Sequence, residues 1–99
     1  MKESFYASAC IDGLQGGAAY LTDDGFHFRC QKATIAEEYK NLKIAYENIK
    51  TVSSGKRVLF TPTTIIETNS GKSYRFLIFG REKFMNDISK KLTRAENTI

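Results

Sequence analysis

Between Phe5 and Phe79 period-two alternation of apolar residues dominates this chain, and beyond residue 80 the period changes. A period of two is the signature of a strand with one face buried, because successive side chains point to opposite sides of a sheet. In "FYASACI", Phe5, Ala7, Ala9 and Ile11 fall on one face, and Tyr6, Ser8 and Cys10 on the other. "GFHFRC" sets Phe26, Phe28 and Cys30 against Gly25, His27 and Arg29. "LKIAY" turns Leu42, Ile44 and Tyr46 inward, and "SYRFLIF" does the same with Tyr74, Phe76 and Ile78. "AAYLT" is a short strand, and "ENIKTV" continues its predecessor after a small kink. "VLF" and "TTIIET" are strands interrupted by Pro62, which predicts a sheet edge or a bulge there.

In "REKFMNDISKKL" the pattern changes. Phe84, Ile88 and Leu92 recur every four residues and Met85 widens the stripe, which predicts an amphipathic helix over 81–92. Lys90, Lys91 and Arg94 lie near its C-terminal end, where the helix dipole favours cations.

The breaks between these runs are hairpin-sized. "DGLQGG", "TDDG", "SSGKR" and "NSGK" are rich in residues that tolerate a tight turn. "QKATIAEEYKN" is a polar connection with room for one helical turn. The tally is seven antiparallel strands and one helix, a mainly β architecture. Strands of this length curl into a barrel or two packed sheets, and a terminal helix with one apolar stripe plugs the opening. Ninety-nine residues make one domain over 1–99, with its core in about 5–92 and a tail over 93–99.

The stretch "YLTDDGFHFRC" concentrates two aspartates, the chain's one histidine and a cysteine. On a strand, His27 and Cys30 are three apart and face opposite sides, so that spacing holds no metal. Asp23 and Asp24 belong to the bend, where their side chains are expected to satisfy nearby backbone N–H groups. Cys30 should face inward as a small hydrophobe. Two cysteines, Cys10 and Cys30, do not make a disulfide framework, and free thiols in a reducing, cytoplasmic setting are the expectation. "NSGKS" lacks the glycine that a phosphate-binding loop requires five residues before its Gly-Lys pair, where Ile66 stands. With one histidine and carboxylates mostly in turns, no catalytic set stands out; the chain is read as no enzyme, with no cofactor and no metal.

Charge is uneven. Residues 1–31 carry a net −2 and residues 32–99 a net +6. No apolar run approaches the ~20 residues that a membrane span needs. Nucleic acid is not the expected partner, since most aromatics fall on the inward phase while stacking requires exposed rings.

The segments "QGGAAYLTDDGFHFRC", "LKIAYENIKTV" and "GKSYRFLIFGREKFMNDI", in that order, resemble the GRAM domain, a member of the pleckstrin-homology superfold. The matching positions are Gly17, Tyr20, Leu21, Thr22, Phe28, Tyr46, Ile49, Gly71, Tyr74, Phe76 and Arg81, spread over residues 5 to 92. By phase, Tyr20, Phe28, Tyr46, Ile49, Tyr74 and Phe76 read as core, and Gly17 and Gly71 as turn residues. The resemblance implies a seven-stranded, helix-capped PH-like barrel that binds proteins, lipids or membranes without catalysis. Pleckstrin-homology domains that grip phosphoinositides carry basic residues around the first hairpin, whereas "DGLQGGAAY" has none. Small standalone bacterial PH-like proteins, which the chain also resembles, imply protein contacts and self-assembly.

The expected function is therefore protein–protein interaction or self-assembly, with a protein partner or a second copy. The alternative is peripheral binding to anionic membrane lipids. For either, the candidate residues are Lys50, Lys56, Arg57, Lys72 and Arg75, which lie on or beside the "SSGKR" and "NSGK" turns. Those turns are expected to share one end of the barrel, where each cation near an anionic surface contributes about 1 kcal/mol.

Overall fold

Alternating sequence becomes strand wherever a partner covers the apolar face, and here each strand finds one. The computed structural model describes residues 3–10, 14–31, 37–58 and 61–96. Its strands are β1 (Glu3–Cys10), β2 (Leu14–Leu21), β3 (Gly25–Arg29), β4 (Asn41–Ala45), β5 (Ile49–Val58), β6 (Thr61–Thr68) and β7 (Ser73–Ile78). A single helical turn, α1 (Glu37–Lys40), precedes β4, a 3-10 turn (Tyr46–Asn48) joins β4 to β5, and α2 (Arg81–Glu96) ends the chain. All pairings are antiparallel, in the order β4-β3-β2-β1-β7-β6-β5. This is a mainly β fold of seven strands with one long C-terminal helix, as the periodicity predicts.

The sheet curls into a half-barrel instead of closing, since β4 and β5 stand at opposite ends of the strand order. Its concave face holds the core. Phe26, Phe28, Phe76, Phe84, Leu21, Ile66 and Ile88 are fully buried there. The α2 stripe enters this space: the Phe84 ring meets Phe5 edge-on at 5.3 Å and Phe26 at 5.9 Å. Phe76 packs against Phe26 at 5.3 Å and Phe28 at 5.0 Å. Met85 and Leu92 pack at the margin of this cluster.

Several expectations are corrected. "SSGKR" is not a turn: residues 53–57 lie inside β5, with register shifts at Ile49/Thr51 and Ser54/Arg57. Gly55 is there for close packing, since a Cβ would stand 2.6 Å from Thr63 Oγ1 and 2.7 Å from Ile65 Cδ1. Pro62 pairs with Arg57 beside the second shift, so its mark as a bulge holds. Gly17 is also no turn residue; it pairs with Ala7 within β2, and a Cβ on it would run into the Arg29 carbonyl oxygen at 2.2 Å. Leu14 to Gly17 join β2 because β1 offers them partners. Tyr20 does not face the core: buried Ala19 and Leu21 flank it, and it stacks outside on His27 at 4.8 Å. The helix runs four residues past the predicted 92. The predicted strand positions Ile11, Leu59 and Phe60, and the end of the tail at 97–99, lie outside the described residues.

Candidate functional site

The "TDDG" bend is a hairpin end, built differently from expectation. Thr22 Oγ1, not an aspartate, accepts the backbone N–H of Asp24 at 3.2 Å and of Gly25 at 3.3 Å. The Tyr46 hydroxyl donates to the Thr22 carbonyl at 2.6 Å, and the Tyr46 N–H donates to the Asp24 carbonyl at 3.3 Å. Burial, then the charges of Asp23 and Asp24, push the Tyr46 phenol well above its usual range. His27 stands on the outer face with Nε2 3.1 Å from Thr22 Oγ1, while Cys30 is buried inside and donates to the Gly16 carbonyl at 3.3 Å. His27 and Cys30 thus face opposite sides of the sheet, as their spacing predicts. Both cysteines are free thiols. Burial pushes the Cys10 thiol up, with the Arg75 guanidinium pulling the other way. Among the described residues no cluster of His, Cys, Asp and Glu is arranged to hold a metal ion.

With rings filling the concave face, what the molecule offers a partner lies outside. Among the described residues, two shallow clefts hold about 200 Å³ each. One lies between β4 and the β6–β7 turn and is lined by Lys43, Ile44, Asn48, Thr68, Ser70 and Tyr74. The other is lined by Cys10, Tyr39, Ile65, Ser73, Tyr74 and Arg75. Both fall short of the ~300–1,000 Å³ usual for small-molecule sites.

The five candidate cations do not gather. The β5–β6 register pairs Ile49 with Thr68 at one end and Arg57 with Pro62 at the other. Lys50 and the turn bearing Lys72 share the first end, while Lys56 and Arg57 lie at the second. Seven residues of strand at ~3.3 Å each put about 20 Å between Lys50 and Arg57. The expectation that the two basic segments share one end fails because "SSGKR" is strand. Lys72 is engaged by Glu38, whose hydrogen bond holds the ammonium pKa above its usual value, and it lies 5.5 Å over the Tyr74 ring. Arg75 is exposed on the outer face of β7.

Two other features stand out. The first is the β5 edge. Between its register shifts, Thr51, Val52, Ser53 and Ser54 pair regularly with Glu67, Ile66, Ile65 and Thr64, and β5 has no described partner on its other side. That four-residue window carries no charge and is flanked by Lys50 and by Lys56 and Arg57. The second is a pair of aromatic rings on the convex face, Tyr6 at 81% and Phe79 at 58% exposure. The Phe79 N–H donates to the Tyr6 carbonyl at 2.9 Å, one step beyond the Ala7–Ile78 pair, so the two side chains are cross-strand neighbours. The alternation gave the signal for Tyr6, which is out of phase with buried Phe5, Ala7 and Ala9; Phe79, just past the end of β7, shares its parity with buried Leu77, so its exposure was not legible that way.

No family model matches the chain, and no curated protein matches it. Among solved structures it is similar to the C-terminal domain of an unknown protein from Leishmania infantum, with a TM-score of 0.75 at 16% identity, covering 92% of this chain and 82% of that one. That likeness concerns the fold alone. No described helix is long and apolar enough to cross a membrane.

Proposed function

We propose that this chain is a non-enzymatic binding module of the GRAM and pleckstrin-homology type, working by protein–protein interaction through the free edge of β5. The observation that carries the reading is the uncharged window Thr51–Ser54, regular in register and lacking a described neighbour on its outer side. An unpaired edge presents N–H and C=O groups that an extended segment of another protein satisfies by adding a strand. Lys50, Lys56 and Arg57 flank the window at both ends and favour a segment with acidic flanks. The bulges at each end restrict pairing to a short stretch, which limits unselective aggregation. What supports the family reading is the sequence resemblance together with the seven-stranded, helix-capped fold. The membrane alternative loses its geometric basis with the dispersal of its five cations.

The test is selection of displayed random peptides on the protein, followed by hydrogen exchange. Selected peptides should carry acidic flanks and protect the amides of residues 51–54. Ser53→Pro, with its melting temperature measured alongside, should abolish their binding. Ser53→Lys, which leaves the backbone intact, should weaken it. Peptides that bind both variants as well as the parent, or that protect a different surface, would refute the edge as the site.

A further inference from the structure

The convex face of the sheet carries a pattern that strand addition does not use. Across β7, β1, β2, β3 and β4 the register places Phe79, Tyr6, Ala18, Arg29 and Asn41 in one row. The next row, toward the β2–β3 bend, is Ser4, Tyr20, His27 and Lys43. On the far side the row is Leu77, Ser8 and Gly16, where Leu77 is buried and the other two are small. The exposed Tyr6 and Phe79 rings and the Tyr20–His27 stack therefore lie on two neighbouring rows, with the cations Arg29 and Lys43 in those rows and Arg75 farther along the outer face of β7, beyond buried Leu77. Tyr6 and Tyr20 are diagonal neighbours on adjacent strands, about 7–8 Å apart. Among the described residues, the outward positions of these five strands hold no carboxylate. Arg29, Lys43 and Arg75 take part in none of the described salt bridges.

From this arrangement we infer that the convex face binds single-stranded nucleic acid. The rings supply faces on which bases stack, and the cations neutralise the phosphates between them. Charge complementarity selects this occupant. A second copy docking through these five strands would bring the cations Arg29, Lys43 and Arg75 against a face whose outward positions on the same strands carry no carboxylate. An acidic peptide would need a groove for its side chains or an open edge for its backbone, and the middle of this face has neither. A duplex hides its base faces and offers the rings nothing. The inference goes beyond the edge-strand reading and does not depend on it, because the two surfaces share no residue.

The experiment is fluorescence anisotropy with labelled mixed-sequence 12-nucleotide single-stranded DNA and RNA, at 50 and 200 mM salt. Unlabelled duplex and anionic phosphatidylserine vesicles serve as parallel probes. Single strands should bind in preference to duplex. The plot of log affinity against log salt should have a slope of about −2, for three phosphates at roughly −0.7 each. Tyr6→Ala and Phe79→Ala should each weaken binding by about tenfold or more, while Tyr6→Phe and Phe79→Tyr retain it. Arg29→Glu should weaken it further and flatten the salt slope. All these positions are exposed, so the melting temperatures should stay near that of the parent. Absence of oligonucleotide binding at 50 mM salt would overturn the inference. So would binding indifferent to the ring and Arg29 variants, or variant-sensitive binding to vesicles alone, which would make the face a membrane contact.

Discussion

Tyr46 ties the first half of the sheet to the point where the chain crosses toward its second half, and removing one oxygen from it tests that role. The residue is 5% exposed, and its hydroxyl donates to the Thr22 carbonyl at 2.6 Å. In Tyr46→Phe the ring still fills its space, but that carbonyl loses its partner in a half-buried setting. The cost of leaving such a group unmet is about 1–3 kcal/mol. For a domain of this size each kcal/mol lowers the melting temperature by roughly 4–8 °C, so a drop of about 4–24 °C is expected. The backbone bond from the Tyr46 N–H to Asp24 is kept, which argues for the lower half of that range.

A second readout comes from alkali. Burial raises the folded-state pKa of this phenol above its ordinary value of 10.0. Above pH 10 the unfolded chain therefore releases this proton first, and the folded state binds more protons than the unfolded one. Stability must fall as pH rises in that window. The contribution is fully present below pH 10 and is lost as pH climbs toward the folded pKa. Tyr39, raised chiefly by burial, adds a fall of the same sign. Urea melts of parent and Tyr46→Phe at pH 8, 10 and 11 should show the parent losing more stability between pH 8 and 11 than the variant. A variant that melts within a degree of the parent at pH 8 and has the same alkaline fall would refute this account of the Tyr46 contact.

Further outcomes follow from particular contacts. Phe84→Ala removes the ring that joins α2 to Phe5 and Phe26, and should cost about 3–5 kcal/mol by denaturant unfolding. Gly55→Val places atoms against Thr63 and Ile65 and should destabilise by about 1–3 kcal/mol, with the largest chemical-shift changes in β5 and β6. Lys72→Ala removes an exposed ion pair with Glu38 and should leave the melting temperature nearly unchanged, with whatever small difference exists at low salt shrinking as salt is raised. A large drop in melting temperature for Lys72→Ala would mean that the pair anchors α1 to the β6–β7 turn to a degree its exposure does not suggest.

Strand identity and the inner face were legible because period-two alternation is a local property. Phe5, Ala7, Ala9, Phe26, Phe28, Leu42, Ile44, Tyr74, Phe76 and Ile78 were all assigned inward, and all are buried. The helix was legible for the same reason, with Phe84 and Ile88 at the core and Leu92 at its margin. Errors arose where one residue type serves two purposes. Glycine in "SSGKR" and "QGG" reads as a turn, yet Gly55 and Gly17 are small because another strand crowds them, and that crowding is a long-range fact. Tyr20 reads as core by phase within the short "AAYLT" run, where apolar residues on both parities leave the inward face undecided; the pairing of β2 puts Ala19 and Leu21 inward and Tyr20 outside.

The candidate site fared differently, because a surface is made by register. The five cations read as one patch only while "SSGKR" was a turn; once it is strand, they divide between the two ends of β5 and the outer face of β7. By contrast, the alternation already placed Tyr6 and Arg29 outward, but on strands far apart in sequence. That Phe79, Tyr6, Ala18 and Arg29 form one row follows from hydrogen bonds between β7, β1, β2 and β3. The sequence by itself determined which face of each strand is apolar, because side-chain direction depends only on parity along the chain. Which outward residues become neighbours, and which edges stay open, was decided by the tertiary structure, because pairing order and register are set by how seven strands share one core.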